Sequence, residues 1–412
     1  MKTIVASLII TFSFCMLSGC EKSPPKKTNT QVEVFAPVDV PKSKAQKIFM
    51  HYMPWYETPE TNSDNTWGIH WTMANRNPNV IEQGKRQIAS HFYPLIGPYA
   101  SSDKDVIEYH LLLMKYAGID GLMIDWYGVH DVYDYPLNKR NTEALVGMLE
   151  KVGLEFSIVY EDRTLPNVVE QNASSSLVAA AQTDMQYLQN EFFSKPFYTK
   201  VDNQPLLLVF GPITLETQAQ WTQAFSALHP KPCFLTLWNE SADAGDNANG
   251  EYAWVYMDNE HLDNFYNNRM DQLEMAIGSA YPGFIDYYNQ GGWQDHIGWK
   301  IEHENGAVLE ETLQKADNAH LDYLQLITWN DFGEGTMMEP TLEFGFDYID
   351  IIRSHAGVSV GDGIFEAIHK LYLLRKEFVS DQEIQGQLDQ VFYYLVSLQT
   401  EKAIELLNTL AQ

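Results

Sequence analysis

The 412-residue sequence is short of cysteine and short of positive charge, and each shortage closes off a class of function. Of its three cysteines, Cys15 and Cys20 sit in and directly after an N-terminal apolar stretch. Cys233 is then left alone, so no intramolecular disulfide framework is expected. Lys and Arg number 27 against 55 Asp and Glu, a formal charge of −28. Nucleic-acid phosphates and anionic lipid surfaces are gripped by clustered Lys and Arg, so both are excluded as ligand classes. The apolar run Ile4 to Leu17 is too short to span a bilayer comfortably. Several catalytic signatures are also missing. No Gly-rich phosphate loop follows the first strand-like run, and there is no His-Glu-x-x-His and no Gly-x-Ser-x-Gly. Asp243 to Gly250 holds Asp, Asn and Gly, but not at EF-hand offsets and with no closing Glu, so it reads as a flexible acidic loop.

What is present begins at the N-terminus. Lys2 precedes the apolar run, which ends in Leu17-Ser18-Gly19-Cys20 and resembles the lipobox of bacterial lipoproteins. The expectation is a signal peptide over 1–19, a diacylated Cys20 and membrane attachment through that lipid only. Glu21, in place of Asp, points to a Gram-negative outer membrane. Residues 20–46 are rich in Lys, Pro, Thr and Gln and read as a flexible tether.

Over 47–357, apolar strand-like runs alternate with amphipathic helix-like segments. The strands are expected at Ile48–Met53, Gly121–Trp126, Glu155–Tyr160, Pro205–Phe210, Cys233–Leu237, Ala253–Tyr256, Met275–Ala280 and Tyr323–Thr328. The helices are expected at Asp105–Ala117, Thr142–Val152, Thr183–Phe193 and Gln218–Leu228, among others. That alternation predicts an α/β fold, a (β/α)8 TIM barrel, with an open doubly wound sheet as the alternative. Residues 358–412 turn wholly helical: Ile364, Ile368, Leu371 and Leu374 share a face, and Ser380-Asp-Gln-Glu383 has the form of a capping box. These helices are expected to pack on the barrel as an annex.

Acids and aromatics gather where the strands stop. Strand one runs into His51-Tyr-Met-Pro-Trp-Tyr56, strand two ends Asp125-Trp126-Tyr127-Gly128, and strand three ends Tyr160-Glu161-Asp162-Arg163. Strand five ends Trp238-Asn239-Glu240, and strand seven leads to Tyr281-Pro-Gly-Phe-Ile-Asp286. Strand eight opens into Thr328-Trp-Asn-Asp-Phe-Gly-Glu-Gly-Thr336, with Asp331 and Glu334 three residues apart. In a barrel these ends share one face, where catalytic groups sit. Paired carboxylates with aromatic platforms are the kit for glycoside hydrolysis. Glu339, before Pro340, reads as a helix N-terminal acid.

These motifs resemble the glycoside hydrolase family 71/99-like proteins, closest to family 99, the endo-α-mannosidases. The likeness is carried by Tyr52-Met-Pro-Trp-Tyr56, His70-Trp71, Ser90 to Tyr99, Gly118 to Gly121, Asp125 to Gly128, Tyr160-Glu161, Pro282 to Asp286 and the strand-eight motif. It implies a cofactor-free, metal-independent barrel glycosidase that retains anomeric configuration on α-linked oligo- or polysaccharides. Carried over, Glu334 is the acid/base and Asp331 the carboxylate that deprotonates the sugar's 2-hydroxyl. The family has Glu where Asp331 stands, and the wording Trp329-Asn-Asp-aromatic-Gly-Glu is closer to the α-1,3-glucanases of family 71. A glucanase and a barrel that binds glycan without cleaving it therefore stand as alternatives. Asp125 and Glu161 are candidates for binding hydroxyls and Trp126 for stacking on a sugar. Tyr52, Trp55, His70, Trp71, Tyr127, Asp286, Trp329 and Asn330 complete the expected substrate-binding set.

Overall fold

The computed structural model of the protein describes residues 32–293, 297–360 and 363–411. The signal-peptide stretch and Cys20 lie outside the described residues, as does the first half of the tether. Eight parallel strands form the centre: β1 Lys47–Tyr52, β2 Gly121–Trp126, β3 Glu155–Tyr160, β4 Gln204–Val209, β5 Cys233–Leu237, β6 Gly250–Tyr252, β7 Met275–Ala280 and β8 Tyr323–Leu326. Each pairs with the next, and β1 closes the ring on β8 through Lys47↔Tyr323 to Met50↔Leu326. Closure removes the open-sheet alternative.

Seven of the eight strands fall within three residues of expectation at either end. β6 does not: the apolar run Ala253 to Tyr256 follows the strand, which is Gly-Glu-Tyr at 250–252. The signal was hidden because Glu251 is fully buried, its charge answered by both arms of Arg269 (2.5 and 2.9 Å). A buried acid is tolerated only when paired in this way.

The longer helices are α1 Lys104–Tyr116, α2 Tyr135–Val152, α3 Leu177–Tyr187, α4 Gln218–Ala224, α5 Ala307–Asn318 and α6 Asp347–Ala356. α2 starts two turns before expectation because Pro136 lies in its first turn, where a missing N–H costs nothing. α3 is capped by Ser176, whose hydroxyl accepts from the Ala179 N–H at 3.2 Å, and it continues as one π turn over Leu188–Phe192. Asp243 and its neighbours form short helical turns, Ser241–Ala244 and Gly245–Asn247, and not the irregular loop expected.

The annex comprises α7 Ile364–Glu377, α8 Gln382–Val396 and α9 Thr400–Leu410. Ile364, Ile368, Leu371 and Leu374 are buried as their spacing predicts. Arg375 on α7 bonds Glu108 on α1 through Nη2 (2.9 Å) and Nε (3.1 Å), which ties annex to barrel. The cap of α8 is Asp381, one residue past the expected Ser380, accepting from the N–H groups of Glu383 and Ile384. The second half of the tether is not free chain. Glu33 donates to Gln390 and Val38 to the Val396 carbonyl (2.9 Å), both in α8, while Ser43 donates to the carbonyl of Gly357 at the end of α6 (3.2 Å), so residues from about 33 onward are laid along the annex and then the barrel.

Candidate active site

Strand alternation decides which side chains meet at the C-terminal mouth of the barrel. His51, Asp125 and Glu161 face a cleft of about 330 Å3. Their neighbours Tyr52, Trp126 and Tyr160 are turned into the helix layer. Tyr52 bonds His110 of α1 at 3.0 Å, Trp126 stacks on Tyr187 of α3, and Tyr160 donates to Asp184 of α3 at 2.7 Å. Trp126, expected to stack on a sugar, is therefore core: in a pleated strand only one of Asp125 and Trp126 can look inward.

The chain after β8 builds the opposite wall. Thr328 accepts the Asp331 N–H on its hydroxyl (2.9 Å), and the Thr336 carbonyl accepts the Thr328 N–H (2.9 Å). Asn330 clasps Met53 from both sides, accepting its N–H at 2.9 Å and donating to its carbonyl at 3.0 Å. Tyr56 donates to the Asn330 carbonyl at 2.7 Å. Gly335 lets the turn close: its φ is +68, and a Cβ there would lie 2.7 Å from the Ile285 carbonyl. The turn is thus fixed by the backbone of Met53 and the side chain of Tyr56 in the loop after β1, and Asp331 and Glu334 are left facing the cleft.

Among the described residues, four acids, Asp125, Glu161, Asp331 and Glu334, line this cleft together with the guanidinium of Arg163. Arg163 Nε lies 3.0 Å from Glu161 Oε2. Burial, then the charge of Glu161, drives Asp125 well above the usual carboxylate range. Burial lifts Glu161 to about 7, with Arg163 and Asp125 pulling back. Burial and the Glu334 charge raise Asp331, while N–H groups of Glu334 and Gly333 favour its ionised form. Burial also raises Glu334, opposed by the Tyr288 hydroxyl, which donates to Oε1 at 2.8 Å. Both members of the Asp331–Glu334 pair are therefore held above the ordinary carboxylate range, chiefly by burial, and they titrate together. His51 is driven down to about 3 by burial and stays neutral. Among the described residues, no three His, Cys, Asp or Glu side chains group so as to hold a metal ion.

The structure brings together Trp55, His70, Asp125, Tyr127, Glu161, Asp331 and Glu334 of the expected set. Trp55 and His70 lie parallel, centroids 4.1 Å apart at 5°. The others stand behind the wall. Trp71 is buried under Tyr56 with its indole N–H on the Tyr99 carbonyl (2.8 Å). Trp329 is buried against His110 of α1, and Asn330 is the clasp already described. Asp286 lies off the cleft, accepting the Tyr288 N–H at 3.1 Å, and acts on Glu334 only through its charge. Glu339 is no helix-end acid: it is buried, accepts from Tyr99 at 2.6 Å and sits 3.2 Å from His110 Nε2. Sequence reasoning assigned no role to Arg163, Tyr288, Trp254 or Trp293. Arg163 carried a signal, two residues after Glu161. Tyr288 and Trp293, stacked at 5.4 Å, come from a loop that carries none.

A profile of glycosyl hydrolase family 99 matches residues 44–230. The chain is 33% identical over 325 residues to the glycoprotein endo-α-1,2-mannosidase-like protein of Danio rerio, covering 71% of this chain and 70% of that one. It is 22% identical over 362 residues to the glycoprotein endo-α-1,2-mannosidase of Mus musculus, covering 78% and 72%. In fold it is similar to the family 99 endo-α-mannosidase of Bacteroides thetaiotaomicron, with TM-score 0.58 and 20% identity over 79% of this chain and 99% of that one.

Proposed function

This chain belongs to glycosyl hydrolase family 99 and is a glycoside hydrolase acting on α-linked glycans, and we propose that it cleaves α-mannosidic bonds within a chain with Glu334 as acid/base and Asp331 as its partner. The observation that carries the reading is the pair itself: a buried Asp331 and a half-buried Glu334 on one turn, the second bonded by a phenol and the first by backbone N–H groups. The mechanism uses the pair with its proton on Glu334, an arrangement that the backbone N–H donors to Asp331 favour and that burial of Asp331 opposes. Glu334 gives that proton to the glycosidic oxygen as its bond to C1 breaks. Asp331 takes the proton of the substrate's 2-hydroxyl, whose oxygen closes on C1 from the opposite face. Water, deprotonated by Glu334, then opens this anhydro-sugar at C1 while Asp331 returns its proton to O2. Two inversions give net retention. Glu161 and Asp125 hold sugar hydroxyls, with Arg163 keeping Glu161 partly ionised.

A panel of α-mannan and α-1,3-glucan oligosaccharides, with the first-released anomer read by NMR, tests this. Release of the retained α-anomer from mannan, abolished in Glu334→Gln, is the expected result. An inverted product would sink the mechanism, and release from glucan alone would sink the sugar assignment. The Leu17-Ser-Gly-Cys20 motif supports a further element, attachment of the mature chain to the outer membrane through lipid on Cys20. Cys20→Ser should then release the protein into the soluble fraction.

A further inference from the structure

Trp254 lines the catalytic cleft, and two residues on, Tyr256 lines a second groove of about 770 Å3. Two residues of chain reach at most about 7 Å, so the two openings adjoin along the same barrel mouth. The groove absorbs the strand-five motif Trp238-Asn239-Glu240, which the cleft leaves unused. Its walls pair aromatic surface with amides: Tyr256 is 44% exposed and Trp238 partly so, beside exposed Asn239, Asn264, Asn268 and Gln272. Tyr256 is held in place by edge contacts with His261 (4.7 Å) and Trp299 (5.7 Å). Asn239 is held at φ 67 by its N–H bond to Glu251 (2.8 Å), in a conformation that costs energy unless its surroundings impose it.

The charges select the ligand. The cation of the groove, Arg269, has its fork closed on both oxygens of Glu251 and on Ser241 Oγ (2.9 Å), so it does not offer itself to an anion. Glu240 on the rim repels one. Flat aromatic faces with neutral donors and acceptors fit a sugar ring and its hydroxyls.

We infer that this groove is a distal subsite that binds a neutral hexose of the same α-linked glycan, beyond the units enclosed by the cleft. The inference rests on the glycosidase reading above and extends the enzyme's preference toward longer chains. Calorimetric titration of α-mannan fragments, from disaccharide to octasaccharide, into Glu334→Gln protein reads it. Affinity should rise once fragments outgrow the cleft. Adding Tyr256→Ala should weaken the long fragments about tenfold and leave the short ones unchanged. Asn268→Ala, at an exposed position, should act in the same direction by about threefold. Equal weakening at every length, or none at any length, overturns the subsite. Turnover by the unsubstituted enzyme is measured on the same fragments. Turnover without length dependence sinks the subsite alone, and length-dependent binding without turnover sinks the catalytic reading alone.

Discussion

Replacing Tyr288 by Phe isolates the group that tunes the proposed acid. The ring keeps its place over Trp293, and only the hydroxyl that donates to Glu334 Oε1 at 2.8 Å is lost. A hydrogen bond to a charged acceptor contributes about 1.5–3 kcal/mol. At about 1.4 kcal/mol per pKa unit, its loss raises Glu334 by roughly one to two units. Burial remains and acts in the same direction, while Arg163 still opposes it from across the cleft. Glu334 must be protonated to act as the acid, so the alkaline limb of the kcat/KM profile reports it. That limb should move about one to two units toward higher pH in Tyr288→Phe. An unmoved limb would show that Tyr288 does not tune the acid, and a shift to lower pH would refute the electrostatic account of the site.

Glu161→Gln tests the cost of the buried acids through stability. The folded-state pKa of about 7 stands above the ordinary 4.5, so the stability of the protonated form is fully present below 4.5 and is lost as pH rises through 7. Glutamine mimics the protonated acid, so the variant should match wild type at pH 4 and exceed it at pH 8 by about 3 kcal/mol in urea unfolding; a pH-independent difference would contradict this. Trp126→Leu should cost about 2–3 kcal/mol of stability and leave KM unchanged, since the indole packs between β2 and α3; a raised KM at full stability would restore it as a sugar platform.

The barrel was legible because its strands are apolar runs set between amphipathic helices, and the eight-strand alternation survives small errors at each end. β6 escaped because its central residue is an ion-paired glutamate, which no hydropathy pattern marks as buried. The site was legible only down to a pair of neighbouring residues. Sequence places Asp125-Trp126 and His51-Tyr52 at the mouth, but the pleat alone assigns one of each to the cleft and the other to the helix layer. The strand-eight motif showed a similar division of labour. Asp331 and Glu334 face the cleft, while Trp329, Asn330 and Glu339 hold the turn from behind, and these two kinds of residue look alike in a motif. Tyr288 and Arg163 act through contacts made across the barrel, with Glu334 46 residues from Tyr288, so local spacing does not reveal them.

The central claim is that Glu334 protonates the leaving oxygen, and the dependence of rate on the leaving group tests it most directly. Glu334→Ala should lose about a thousandfold or more in kcat/KM on an α-linked oligosaccharide, whose leaving alkoxide needs a proton. On the corresponding glycosyl fluoride, whose leaving group departs unaided, formation of the first intermediate should proceed at near the wild-type rate. Equal losses on the two substrates would contradict the assignment and move the acid to another carboxylate of the cleft.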